Sequence, residues 1–126
     1  MVHCKMPIAG LMSALNDHHR DNDREEKECD IFGPEGQEAG RLVHEGASPD
    51  YVAPPLRELV RAALSADALM AVIAHNHPGG TPHPSDADYA FTRRLGDVFA
   101  ALDIRLHDHL ILTARTTFSF REQGLL

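Results

Sequence analysis

The distribution of apolar and polar positions predicts two amphipathic helices in the second half of the chain. Five apolar residues between positions 56 and 64 form one stripe of a helix that begins near Pro54, and Ser65 to Asp67 ends it. A second helix is predicted from Ser85, because five apolar residues between Phe91 and Leu102 again recur at helical spacing. Both helices therefore have one face suited to packing against a sheet.

Short apolar runs predict the strands of that sheet. Residues 68–74 are continuously apolar, as expected for a strand buried on both faces. Residues 29–32 and 41–44 fit a weak hairpin, and 104–106, 110–112 and 116–120 are β-prone segments. With a short helix over 8–15, the predicted order is helix, hairpin, helix, strand, helix, strands. This order indicates a mixed α/β (α+β) fold in which helices pack against one sheet.

Composition and charge narrow the class of protein. The chain has 126 residues, a formal net charge of −7, two cysteines and no tryptophan. The negative charge makes nucleic-acid binding unlikely, because phosphate-binding surfaces concentrate Lys and Arg. Two cysteines make no disulfide framework, and neither a secretory segment nor a membrane span is evident, so a cytoplasmic protein is predicted. We expect one domain over 25–126, preceded by a helix and polar connection over 1–24.

The candidate chemistry begins where the central apolar run ends, at His75-Asn76-His77. Side chains alternate along a strand, so His75 and His77 lie on the same face and can bind one divalent cation. A Pro/Gly-rich loop follows, and Ser85 then caps the second helix with Asp88 three residues further on. His75, His77 and Asp88 would supply three ligands and leave a fourth position for water, which is typical of catalytic zinc sites.

These residues resemble a known family. His75-x-His77-Pro78 followed by Ser85 and Asp88 is similar to the JAMM motif of JAB/MPN metallopeptidases. The surrounding segments 74–78, 84–85, 92–95, 108–111 and 118–126 resemble the RadC family. The resemblance implies a mixed sheet flanked by helices, in a three-layer arrangement like that of cytidine deaminases. It also implies a Zn²⁺ held by His75, His77 and Asp88, and hydrolysis of peptide or isopeptide bonds by a zinc-activated water.

Two further catalytic roles follow from the resemblance. Ser85 would stabilise the oxyanion formed on the attacked carbonyl. A glutamate before the first strand would be the general base. Counting back without gaps gives Glu25, and a shorter first strand gives Glu28. Residues 25–30 are almost all charged, unlike the apolar first strand of the family, so the base could also be absent or displaced.

Alternatives remain open at this point. A non-catalytic MPN-like module that binds metal or a protein partner, as a homodimer, fits the same residues if no glutamate serves as base. The chain lacks the helix-hairpin-helix region of longer RadC-like proteins, and a DNA-repair role rests on the family name alone. His107 and His109 could form a second metal site, a satisfied polar pair with Asp108, or a support behind a metal ligand.

Overall fold

The computed structural model describes residues 26–33, 38–45, 56–77 and 81–126, and these form a mixed five-stranded sheet with two helices. The strands are β1 (Glu26–Phe32), β2 (Glu38–Glu45), β3 (Met70–Asn76), β4 (Arg105–Leu112) and β5 (Thr117–Ser119). The helices are α1 (Leu56–Ser65) and α2 (Asp86–Ala101). The predicted order is confirmed over these ranges, whereas the helix and connection predicted over 1–24 lie outside the described residues.

The sheet has the order β2-β1-β3-β4-β5, and only the β3–β4 pair is parallel. Strand β4 is continuous, so the two predicted segments at 104–106 and 110–112 belong to one element. The first strand also begins earlier than the hairpin prediction, at Glu26, and runs between β2 and β3.

The core lies between both helices and one face of the sheet. Leu59 of α1 and Leu95 and Phe99 of α2 are completely buried and join one cluster with Ala71 and Ile73 of β3. All seven residues of β3 are buried, which confirms a strand covered on both faces. The α+β class with a mixed sheet is confirmed, and the cytidine-deaminase-like three-layer arrangement remains a prediction.

Both helices end in the same way, which sets the start of the strand that follows. The C-terminal turn of α2 is closed by Ile104 N–H donating to the Phe99 carbonyl and Asp103 N–H donating to the Ala100 carbonyl. Asp103 has φ 59°, and Asp67 after α1 has φ 50°, in the left-handed conformation usual for this type of helix end. Each chain reversal leads directly into a strand.

Among the described residues, no helix is long and apolar enough to cross a membrane.

Candidate metal centre

The candidate site lies at the carboxyl end of β3, beside the first turn of α2. His75 is the last residue but one of β3, and His77 follows the strand, with its backbone N–H donating to the Leu112 carbonyl at 2.9 Å. Parallel pairing makes β4 end at this same edge. Helix α2 begins at Asp86, and its N-terminus faces the two histidines.

Asp88 is placed by the capping of α2. Ser85 is the N-cap residue, and its Oγ accepts a hydrogen bond from the Asp88 N–H at 3.1 Å. In return, the Ser85 N–H donates to Asp88 Oδ2 at 2.9 Å. This reciprocal capping box fixes both the start of the helix and the rotamer of the aspartate. The predicted N-cap and N3 positions of Ser85 and Asp88 are confirmed.

The three predicted ligands converge in one small volume. The Nε2 atoms of His75 and His77 are 2.8 Å apart. Asp88 Oδ1 lies 3.5 Å from His75 Nε2, and Asp88 Oδ2 lies 3.4 Å from His77 Nε2. His75 and Asp88 are buried and His77 is partly buried. Their donor atoms all lie within 4.8 Å of one another, so this group could hold a metal ion.

The protonation of the donor atoms favours a cation. His77 Nδ1 is 3.0 Å from the Thr81 carbonyl oxygen, which can only accept, so Nδ1 carries the hydrogen and Nε2 the lone pair. That lone pair points towards His75 Nε2 and the Asp88 carboxylate. Two nitrogens and a carboxylate oxygen at this separation need a proton or a cation between them.

The spacing also fits a tetrahedral ion. Zinc with bonds of about 2.0–2.1 Å keeps its ligand atoms about 3.3 Å apart. Both nitrogen–oxygen distances, 3.5 and 3.4 Å, are close to this value. The nitrogen–nitrogen distance of 2.8 Å would have to open by roughly half an ångström, which is within the reach of a small rotation of the partly buried His77 ring.

The pKa of Asp88 suits a ligand that is anionic at neutral pH. Burial by itself raises the pKa of this carboxyl. Contacts with His75 and His77, the charge of a protonated His75 and the Ser85 N–H outweigh burial and hold the pKa of Asp88 far below its ordinary value. A helix N-terminus acts in the same direction.

Residues 38–125 match the family model of the RadC-like JAB domain. The chain belongs to the RadC-like JAB domain family. Among similar proteins are a UPF0758 protein of Neisseria meningitidis serogroup C, 51% identical over 71 residues, and one of Coxiella burnetii, 47% identical over 70 residues. A UPF0758 protein of Herminiimonas arsenicoxydans is 40% identical over 87 residues.

These alignments cover 56%, 56% and 69% of this chain respectively, but only 32%, 31% and 36% of the relatives. The chain therefore spans about a third of the length of the curated relatives that it matches.

The two predicted general bases of this RadC-like domain have different positions relative to the described strands. Glu25 lies outside the described residues. Glu28 belongs to β1 and pairs with Ala74, while Lys27 pairs with His75. Residues directly opposite each other in paired strands share a face of the sheet. Odd-numbered positions of β1 are therefore on the same face as His75, and position 28 is on the other face.

His109 is the second buried histidine near the site. It pairs in register with Ile73, while His75 pairs with Ile111, so the two histidines are diagonal neighbours. His109 Nε2 is 2.7 Å from His75 Nδ1, on the side of the ring opposite the candidate metal position. Of the alternatives for His109, a support behind a metal ligand is the one that this geometry favours.

Its neighbours Asp108 and His107 take no part in the site. Asp108 accepts hydrogen bonds from the Ser119 hydroxyl and the Arg121 N–H, which ties β4 to the turn after β5. His107 is the extra residue of a bulge in β4 and belongs to no metal-binding group found among the described residues. Its buried Nδ1 has no hydrogen-bond partner in the described part of the chain.

Thr92 is a residue of the site that the sequence reasoning missed. It lies one turn after Asp88 on the buried face of α2, in phase with Leu95 and Phe99. Its Oγ1 contacts His109 Nδ1 at 2.6 Å and donates to the Asp88 carbonyl at 2.7 Å. A hydroxyl four residues after Asp88, at helical spacing with Leu95 and Phe99, was the signal that could have identified it.

Proposed function

We propose that this chain is a zinc-dependent hydrolase of the JAMM type that acts on peptide or isopeptide bonds. The observation that carries the proposal is the convergence of His75, His77 and Asp88 at a strand end, with Ser85 beside them. Membership of the RadC-like JAB domain family supports it.

His75, His77 and Asp88 would hold the ion, since two imidazoles and a carboxylate are ligands that zinc accepts. When bound, zinc supplies a Lewis acid that polarises a carbonyl oxygen and lowers the pKa of a water ligand towards neutrality. Asp88 arrives in its anionic form because its pKa is held low. The ligands therefore need no deprotonation of the carboxyl before a metal binds.

Ser85 would donate a hydrogen bond to the carbonyl oxygen of the substrate. Its Oγ acts as acceptor in the capping contact with the Asp88 N–H, so the hydroxyl hydrogen is not used there. The side chain is exposed, and the residue is one turn before Asp88, whose carboxylate accepts from the Ser85 N–H. A donor fixed by a helix cap is preorganised for a developing oxyanion.

Glu25 is our candidate for the general base, in preference to Glu28. The support is the phase of β1, in which Lys27 and not Glu28 pairs with His75. Glu25→Gln should abolish hydrolysis with zinc content unchanged, whereas Glu28→Gln should retain most of the activity.

Metal content and hydrolysis together test the proposal. Protein purified without a tag should contain about one zinc per chain, and His75→Ala should lose it. The zinc form should cleave members of a mixed library of quenched peptide and isopeptide substrates. No bound zinc, or zinc unaffected by His75→Ala, would refute the proposal. Bound zinc without cleavage would favour the non-catalytic module. Analytical sedimentation would show whether the chain forms the predicted homodimer.

A further inference from the structure

A chain of three hydrogen bonds lies behind the candidate metal ligands. It runs from His75 Nδ1 to His109 Nε2 at 2.7 Å and from His109 Nδ1 to Thr92 Oγ1 at 2.6 Å. It continues from Thr92 Oγ1 to the Asp88 carbonyl at 2.7 Å. Asp88 is itself beside His75 Nε2, so the path returns to the residue where it began.

The direction of this path is fixed at the Asp88 carbonyl, and the hydrogen on each following atom can be worked out from there. The Asp88 carbonyl has no hydrogen, so the Thr92 hydroxyl must donate to it. The hydroxyl has a single hydrogen, so towards His109 it can only accept. His109 Nδ1 therefore carries a hydrogen and donates it to Thr92 Oγ1.

The tautomer of His109 then determines that of His75. With its hydrogen on Nδ1, neutral His109 has a lone pair on Nε2 and accepts from His75 Nδ1–H. With this hydrogen on Nδ1, Nε2 of His75 is the atom left to bind a metal, and in the absence of an ion a proton on Nε2 is shared with His77 Nε2 and Asp88. We infer that Thr92 and His109 are positioning residues that hold His75 in its metal-binding tautomer. This inference rests on the proposed function, because these hydrogen bonds have the assigned role only if the site binds a metal.

Packing supports the same assignment, because it fixes the plane of the His109 imidazole. Phe120 stacks on His109 with ring centroids 4.8 Å apart and an angle of 8° between the planes. Phe120 and His109 are both almost completely buried. A ring held in this way can exchange its tautomer but cannot easily rotate away from His75 and Thr92.

Loss of the Thr92 hydroxyl should reverse the direction of the hydrogen bond between His109 and His75. In Thr92→Val, which keeps the shape of the side chain, His109 Nδ1–H would have no acceptor in a buried site. The alternative tautomer has the hydrogen of His109 on Nε2, from which it donates to His75 Nδ1. His75 Nε2 would then carry a hydrogen and could not bind a metal without losing it. Thr92→Ser retains the hydroxyl and is the matched control.

Two measurements test the inference. In metal-free protein, nitrogen-15 NMR of the imidazoles should show His109 with its hydrogen on Nδ1 in the wild type and in Thr92→Ser. Thr92→Val should shift it towards the Nε2–H tautomer. In competition with a chelator, Thr92→Val should bind zinc about 10- to 100-fold more weakly, the usual effect of removing a partner behind a ligand. Thr92→Ser should stay within about threefold of the wild type.

Several outcomes would overturn the inference. They are a wild-type His109 in the Nε2–H tautomer, a Thr92→Val variant that binds zinc normally, and a Thr92→Ser variant as weak as Thr92→Val. The thermal stability of the metal-free variants separates misfolding from a changed tautomer. If the wild type binds no zinc, the proposed function fails, whereas the NMR measurement still decides the direction of the hydrogen bonds.

Discussion

Replacing Asp88 by Asn should remove most of the stabilisation that zinc gives to the protein. Asp88 is the only anionic member of the three-residue group, and its two oxygens lie 3.5 and 3.4 Å from the histidine nitrogens. Asn is nearly isosteric and can still accept the capping hydrogen bond from the Ser85 N–H. The substitution therefore changes the charge and one donor atom while leaving the start of the helix in place.

The size of the effect follows from the number of ligands. Structural zinc sites with four ligands release about 10–16 kcal/mol, so one ligand contributes roughly 3 kcal/mol, or about a hundredfold in affinity. At a zinc concentration of about 100 Kd, the wild type gains about 2.7 kcal/mol. For a domain of this size that is a rise in Tm of about 8–13 °C. At the same concentration Asp88→Asn would gain only about 0.4 kcal/mol, or about 1–2 °C.

The assay is thermal unfolding of chelator-treated protein with and without zinc, and scanning calorimetry measures the Tm. Asp86→Asn is the matched control, since Asp86 lies in the same first turn of α2 but is exposed and outside the metal-binding group. It loses the same helix-dipole interaction, about 0.3–1 kcal/mol, with no change at the ligands. A full zinc shift in Asp88→Asn, or a lost shift in Asp86→Asn, would refute the reasoning.

Three further predictions concern stability. Ser85→Ala should cost about 1 kcal/mol in urea unfolding, because α2 loses its N-cap acceptor, and an unchanged midpoint would contradict the capping box. Asp103→Gly should raise the free energy of unfolding by about 0.5 kcal/mol at an unchanged m value, since glycine adopts φ 59° without strain. A lower free energy of unfolding in this variant would contradict the prediction. Burial, then Arg121 and Arg105, lowers the pKa of His107 below 6.5. The unfolded chain then binds this proton more readily, so the contribution of His107 to stability is complete above about pH 6.5 and falls as the pH drops through the folded pKa. His107→Asn should flatten that slope in metal-free protein, and an identical slope would contradict the shift.

The elements around the candidate site could be predicted because their signals are local. The apolar run before His75 and the Ser85 cap followed by Asp88 depend on neighbouring residues alone, and both lie where the pattern placed them. Strand β1 shows the limit of this reasoning. Its first three residues are all charged, yet they extend between β2 and β3, because backbone pairing on both edges is a long-range interaction that no local pattern reports.

The hydrogen bonds behind the ligands were harder to foresee. His109 comes 34 residues after His75 in the chain, and their contact depends on the register of a parallel strand pair with a bulge at His107. An error of one residue in that register would place His109 on the other face of the sheet. Sequence spacing therefore identifies the candidate ligands, which lie at one strand end and one helix start. It does not identify the residues that orient them.

Asp88 explains why the fold and the candidate site depend on the same few atoms. Its carboxylate accepts from the Ser85 N–H, its own N–H donates to the Ser85 hydroxyl, and its carbonyl accepts from Thr92. The same carboxylate oxygens face both histidines. A displacement of the first turn of α2 would thus move a ligand and also remove the acceptor that orients Thr92, His109 and His75 in sequence. Because each of these Asp88 contacts lies at a helix start that is stabilised by its own cap, the protein's own hydrogen bonds set the position of this candidate ligand.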